Sequence, residues 1–301
     1  MLRRVDSETE RFLNDLARIN ERLARAQREV SSGRRLNQPS DDPDQVSQLL
    51  MLRSQLAATE QIRANLGRVT AEVNTAEQTL SAAVERLERA AVLGSQGAGS
   101  TASAEQRLLI AREVEALITQ MVNLADTTVE GRYIFSGNAD GQIAYTLDWT
   151  QSYPVSAYLG SAATRTVAGP GGQRIAVAKT AAEIFDNPDP AKNVFQALNN
   201  LRAGLLANDE AAIQASLAQI RTASVHLNDQ LAFYGMVQNQ VAAATEASRR
   251  EELRLKTRIS EIQDADLTES ILAMNQARFQ QEVALNAKGK MPRTSLFDYL
   301  G

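Results

Sequence analysis

Cysteine is absent from the 301 residues. That excludes disulfides, thiolate nucleophiles, iron–sulfur ligation and structural zinc of the Cys type. Histidine occurs once, at His226, so Ser-His-Asp catalysis and His-rich metal sites depend on that residue or do not exist. Aromatics make up only 5% of the chain, while Ala, Leu, Gln, Arg and Glu abound. That mixture favours long helices packed by aliphatic seams over a large enzyme core. No apolar run reaches the roughly 18 residues of a membrane helix. The N-terminus, MLRRVDSETERFLNDL, lacks the continuous apolar stretch of a cleavable secretory signal. The net charge of −4 argues against a nucleic-acid binder, which would carry a basic face. The expectation is a protein without catalytic residues, metal or cofactor, neither inserted in a membrane nor bound to nucleic acid.

Proline is also scarce and unevenly placed. None lies between Pro43 and Pro154, and none between Pro190 and Pro292. Proline costs about 3 kcal/mol inside a helix, so these two stretches are free to be helical. Both carry heptad seams. The first seam precedes them: Phe12, Leu16, Ile19, Leu23, Ala26 and Val30 are spaced alternately by four and three, ending before Gly33, a helix cap. A second runs from Ile62 to Ala90, a third from Ile110 to Leu124, and a fourth from Ile213 through Tyr234 towards Ile262. Asp42-Pro43-Asp44-Gln45 and Asn208-Asp209-Glu210 suit helix starts, and Gly94, Gly97 and Gly99 mark a turn. A helix from 44 to 93 would be about 75 Å long at 1.5 Å per residue, which implies a rod.

The segment from 138 to 190 reads differently. It is poor in charge and rich in glycine, and it alternates apolar positions at Ile143, Tyr145 and Leu147, at Val155, Ala157 and Leu159, and at Ile175 and Val177. Ala168-Gly169-Pro170-Gly171-Gly172 reads as a turn between two short strands. A small β-rich domain inserted between helical stretches would bring the chain's two ends side by side.

Motifs that could carry chemistry are weak. Gly97-Ala98-Gly99-Ser100-Thr101-Ala102 matches the loose dinucleotide fingerprint, but that fingerprint needs a preceding strand and here a heptad precedes it. A flexible helix–helix loop is the better reading. His226 sits beside a seam position with no nucleophile near it, as a partly exposed structural histidine would. Glu251-Glu252 and Asp264/Asp266 lie among basic residues without calcium-loop spacing. Arg3, Arg4, Arg11, Arg18, Arg22, Arg25 and Arg28 make the segment of the first seam arginine-rich, with Glu and Asp interleaved, a pattern more typical of interhelical pairs than of nucleic-acid binding.

Five segments together carry a resemblance. Val30-Ser31-Ser32-Gly33-Arg34-Arg35-Leu36-Asn37, followed by Ser40-Asp41-Asp42, resembles the N-terminal signature of the flagellin family. Arg258-Ile259-Ser260-Glu261-Ile262-Gln263-Asp264-Ala265-Asp266 resembles its C-terminal signature. Thr268 to Ala287 fits the closing helix, and Leu296 to Leu300 its apolar end. Thr127 to Gly137, with Gly131-Arg132-Tyr133-Ile134-Phe135-Ser136-Gly137, resembles the branch of the family that joins hook to filament. Lys288-Gly289-Lys290-Met291-Pro292 departs from the pattern by interrupting the closing helix.

The resemblance implies a mainly α fold: an elongated rod of antiparallel coiled-coil helices from both chain ends, with the small β-rich insert. Its division would be 1–38 with 264–301 as an inner coiled coil, 39–137 with 191–263 as a helical rod, and 138–190 as an outer insert. It implies a structural, non-enzymatic subunit of the bacterial flagellum, exported through the type III apparatus without a cleaved signal peptide and located outside the cell. Its expected partners are copies of itself in a ring or helical layer, hook-associated protein 1, flagellin and a flagellar export chaperone. Phe12, Leu16, Ile19, Leu23 and Val30 near one end, and Leu267, Ile271, Met274, Phe297 and Leu300 near the other, are the candidate assembly residues. A short flagellin of the filament itself, or an intracellular coiled-coil scaffold, are the alternatives.

Overall fold

The structure, a computed structural model, describes residues 7–290, with Ser7 and Glu8 as backbone only. Phe297 and Leu300 of the candidate assembly residues, and Pro292 of the proposed break, lie outside the described residues. The fold is mainly α-helical with two small antiparallel strand pairs inserted. Two compact units share the chain: one gathers both ends, through residue 58 and from 251 onward, and the other spans 59–250.

Local chemistry sets the helix starts. α1 is Ser7–Ser32 and ends on Gly33, whose φ of 67° only glycine takes without strain. α2 is Pro43–Gly97, 55 residues and so about 82 Å long. The Asp42 carboxylate accepts the Gln45 N–H at 3.3 Å, and proline at the first helical position has no N–H to satisfy. α3 is Ala104–Ala125, opened by a reciprocal capping box between Ser103 and Gln106. α4 is the short Ala181–Ile184 and α5 is Val194–Leu206. α6 is Glu210–Gln263, 54 residues, begun where the Asp209 carboxylate accepts the Ala212 N–H. α7 is Leu267–Lys290, capped by Asp266, whose carboxylate accepts the Thr268 N–H at 2.8 Å.

In the central unit, α2, α3, α5 and α6 enclose one core. Arg89 reaches Glu113 from α2 to α3, Arg202 reaches Glu115 from α5 to α3, and Gln238 reaches Asn74 from α6 to α2. Leu66, Leu80, Leu87, Ile118, Met121, Leu198 and Leu227 are fully buried between them. Two glycines do not turn the chain as the sequence suggests. Gly94 and Gly97 are helical, and a Cβ would meet Leu217 Cδ2 at 2.6 Å and Leu205 Cδ2 at 2.4 Å. They let neighbouring helices approach closely, and the chain turns only after Gly97. The loop that follows is tied to the start of α3. The buried Arg107 donates to the Gly97 carbonyl at 2.8 Å, to the Gly99 carbonyl at 3.3 Å and to the Asn208 side chain at 2.6 Å.

Strand is sparse, and the first pair precedes the insert. β1 (Thr128–Val129) and β2 (Arg132–Tyr133) form a hairpin whose two turn residues, Glu130 and Gly131, both have positive φ, 51° and 76°. Positive φ at both positions gives a turn whose twist matches the paired strands. β3 (Thr166–Ala168) and β4 (Arg174–Ala176) pair around Pro170–Gly172, where the sequence places a turn. Between them, 143–147 and 155–159 run antiparallel, joined by a bridge at Leu147 and Val155. These segments pack onto the helical core. Tyr145 meets Phe195 of α5 with ring centroids 5.0 Å apart, and Phe135 meets Phe185 at 6.1 Å and Tyr234 of α6 at 6.5 Å.

Candidate assembly interface

In the terminal unit α1 and α7 lie antiparallel. Glu29 accepts from the Ser270 hydroxyl at 3.0 Å, Gln281 donates to Asn20 at 2.8 Å, and the Lys288 ammonium stands 5.5 Å from the Phe12 ring centre. Each pair of residue numbers adds to about 300, the mark of two helices passing in opposite directions in one register. Of the candidates on α1, Phe12, Leu16, Ile19, Leu23 and Val30 are half-buried in this contact and Ala26 is buried.

α7 offers a different kind of face. The positions turned to α1 are Ser270, Met274, Ala277, Gln281, Ala284 and Lys288, spaced alternately by four and three and each buried or half-buried. Most are small or polar, and a cavity of about 210 Å³ opens beside them between Arg25, Ala26 and Glu29 of α1 and Ala273, Gln276 and Gln280 of α7. The bulky apolar side chains of α7 point elsewhere. Leu267 and Ile271 are 49% and 43% exposed, and Leu272, Phe279, Val283 and Leu285 are 57%, 67%, 49% and 51% exposed. At 100° per residue, Leu272, Phe279 and Val283 fall on the side opposite α1, and Leu267, Ile271 and Leu285 on one flank. The sequence-based set of candidates therefore divides: Met274 sits in the contact within the chain, whereas Leu267 and Ile271 lie on its flank, about half exposed. Leu272, Phe279, Val283 and Leu285 are exposed apolar side chains outside that set, because apolar residues on several sides of a helix do not say which side is covered. Gly289 does not interrupt α7, which continues to Lys290.

The two terminal signatures meet directly. Arg34 and Asp264 form a β-bridge, the Arg35 N–H donates to the Gln263 carbonyl at 2.8 Å, and the Ala265 N–H donates to the Gly33 carbonyl at 3.0 Å. The Arg35 guanidinium donates to Gln45 at 2.8 Å and to the Ile262 carbonyl at 2.9 Å. It thereby ties the start of α2 to the end of α6. Asp41 accepts from the Asn37 and Gln38 N–H groups at 2.9 Å and fixes the turn between α1 and α2. The acidic residues of the second signature have structural work: Asp264 accepts from Ser260, and Asp266 caps α7. Among the described residues no group of three or more His, Cys, Asp or Glu could hold a metal ion.

Arg18, Arg22, Arg25 and Arg28 line an open groove of about 480 Å³ with Gln38, Ser40 and Asp41. No salt bridge joins any of the four to a carboxylate among the described residues. The interhelical pairs expected of them are therefore not made within the described part of this chain. His226 also differs from its expected setting. It is buried, with Nε2 3.0 Å from the Glu183 carbonyl and Nδ1 3.5 Å from the Gln230 side chain. Its role is to fasten α4 to α6.

The Thr127–Gly137 motif is a fastener too. Arg132 pairs with Glu72 of α2 at 2.8 Å, Phe135 is fully buried, and Gly137 has a φ of 63° with no room for a Cβ beside the Ser161 carbonyl. It sets the insert on the helices.

Helices from both chain ends, paired with each other and with apolar side chains uncovered on α7, define a mainly helical protein built around its own two termini. The chain belongs to the flagellin family: the bacterial flagellin N-terminal helical region matches residues 8–140, and the bacterial flagellin C-terminal helical region matches 217–300. The flagellar hook-associated protein 3 of Escherichia coli K12 is 34% identical over 113 residues, which are 36% of this chain and 35% of that protein. The flagellar hook-associated protein 3 of Salmonella typhimurium is 26% identical over 189 residues, 59% of this chain and 58% of the relative. The chain thus spans between about a third and somewhat over half the length of these curated relatives. A putative flagellar hook-associated protein from Vibrio parahaemolyticus shares the fold, with a TM-score of 0.66 at 21% identity over 74% of this chain and all of that one.

Proposed function

We propose that this chain is a structural, non-enzymatic subunit of the bacterial flagellum that forms the junction layer between hook and filament. The observation that carries the reading is the pairing of α1 with α7 in segments that match the family's terminal regions, with Leu272, Phe279 and Val283 left uncovered on α7. A row of exposed apolar side chains is stable in a soluble protein when another surface covers it. Copies arranged head to tail supply such surfaces and build rings or helical layers. The arginines of α1 that line the groove add a charged flank for the same contacts.

On this reading hook-associated protein 1 lies on one side of the layer and flagellin on the other. A flagellar export chaperone holds the chain before export through the type III apparatus, and the assembled protein is extracellular. Residues 1–38 with 264–301 form the inner coiled coil, 39–137 with 191–263 the helical rod, and 138–190 the outer insert. The names of the curated relatives and the Thr127–Gly137 motif favour the junction over a short filament flagellin. A deletion strain decides. Loss of attached filaments, with unpolymerised flagellin shed into the medium, is the expected result. Filaments that remain attached without the protein, or labelled protein found along the whole filament, would overturn it.

A further inference from the structure

α7 can meet α1 in two ways, and the structure takes the less apolar one. Turning α7 half a revolution about its axis would bring Leu272, Phe279 and Val283 towards α1 at the heights of Arg28, Glu21 and Ala17, beside the seam residues Val30, Leu23 and Leu16. The face used instead offers Ser270, Met274, Ala277, Gln281, Ala284 and Lys288, with the open 210 Å³ cavity beside it. Apolar burial by itself favours the turned arrangement. What distinguishes the observed one is hydrogen bonding near one end and at the middle of the pair: Ser270 to Glu29, with Ser270 only 4% exposed, and Gln281 to Asn20. In the turned arrangement both pairs would be broken.

We infer that Glu29 and Asn20 are the specificity-determining residues of the terminal helix pair: through Ser270 and Gln281 they select which face of α7 is covered within the chain. Polar contacts at a helix seam commonly fix register at some cost in stability. Here they hold the apolar stripe of α7 outward. That this stripe is thereby kept for a neighbouring copy rests on the assembly reading above; the selection itself is a property of the single chain.

The absence of native cysteine makes a direct test clean. Ala284 faces α1 beside Leu16, and Val283 lies at the same height on the far side. Disulfide formation in the dilute, full-length protein therefore reports the face. Leu16→Cys with Ala284→Cys is expected to crosslink at least about tenfold faster than Leu16→Cys with Val283→Cys. Adding Asn20→Leu with Glu29→Leu is expected to lower that ratio by about tenfold or more, since two hydrogen bonds are lost and apolar surface is gained. The pair Asn20→Asp with Glu29→Gln keeps both acceptors and is expected to preserve it. An unchanged ratio in the leucine variant would overturn the inference. So would loss of both crosslinks, which would mean that the polar pairs hold the helices together without choosing a face. Attachment of filaments by the cysteine-free parent is scored separately. A changed crosslink ratio in a protein that builds no junction would leave the inference standing and remove the assembly reading.

Discussion

At the scale of the residue, buried polar groups carry the clearest consequences. The His226 ring bonds the Glu183 carbonyl and fills space between α4 and α6. His226→Ala is expected to destabilise the central unit by about 1–3 kcal/mol, through the lost hydrogen bond and the cavity together. A thermal melt checks it, and an unchanged midpoint would refute it. The sequence places His226 beside a seam but cannot show α4, which arrives from 43 residues away, so its burial was not legible. Asp126 gives a pH dependence. Burial pushes its carboxyl up, against the lowering effect of the Ala144 and Tyr145 N–H groups that it accepts. A carboxyl raised in the folded state binds its proton more readily there than in the unfolded chain. Its contribution to stability is therefore fullest in acid and declines as pH rises from the ordinary carboxylate value through the raised one. Asp126→Asn keeps the acceptor for the Ala144 N–H. It is expected to flatten that decline and to melt at neutral pH no lower than the parent, as calorimetry across pH would show.

At the scale of the element, heptads fix phase within a helix but not the partner across it. The α1 seam is legible because its apolar residues share one face, and Phe12, Leu16, Ile19 and Leu23 do turn to α7. The face of α7 is not legible, because apolar residues surround that helix and the covered positions are mostly small or polar. Leu16→Asp with Leu23→Asp places two charges in the α1–α7 contact. The expected outcome is loss of helical signal from the terminal segments, an unchanged melt of the 59–250 unit, and no incorporation into flagella. Circular dichroism and electron microscopy of the complemented deletion strain test the two halves, and normal filaments from the double mutant would refute the claim. Gly94 makes a similar point for α2. A glycine reads as a turn from sequence, yet its use here is to admit Leu217, so Gly94→Val is expected to cost about 1–3 kcal/mol by overpacking.

At the scale of the whole molecule, the insert and the terminal unit contrast. The insert shares the core of the central unit through Tyr145, Val155, Ile175 and Phe185. Replacing 138–190 by a Gly/Ser linker removes those side chains and bares Phe135, Phe195 and Tyr234. Each large apolar side chain is worth about 1.5–3 kcal/mol when buried, so the shortened protein is expected to melt far lower or not to fold cooperatively. A melt like the parent's would show the insert to be separable. The terminal unit has fewer buried apolar residues, chiefly Ala26, Leu36, Leu49, Leu52, Leu255 and Ala277. Limited proteolysis of the dilute monomer is accordingly expected to cut there first and to leave a fragment spanning most of 59–250, with mass spectrometry locating the ends. In assembled flagella the same sites are expected to be protected.

The sequence by itself determined what is local or periodic: the long proline-free helices, the helix starts at Asp42 and Asp209, the turn at Pro170–Gly172, and the two signatures that mark the family. Each follows from neighbouring residues, whose spacing sets backbone geometry. Tertiary structure alone decided what depends on segments distant in the chain: that the two signatures pair through Arg34 and Asp264, that Gly94 and Gly97 are sites of close approach, and that α7 meets α1 with its smaller face. Apolar patterning says that a surface is to be covered. Which surface covers it is settled by side-chain volume and hydrogen bonding between residues more than two hundred positions apart, as with Glu29 and Ser270.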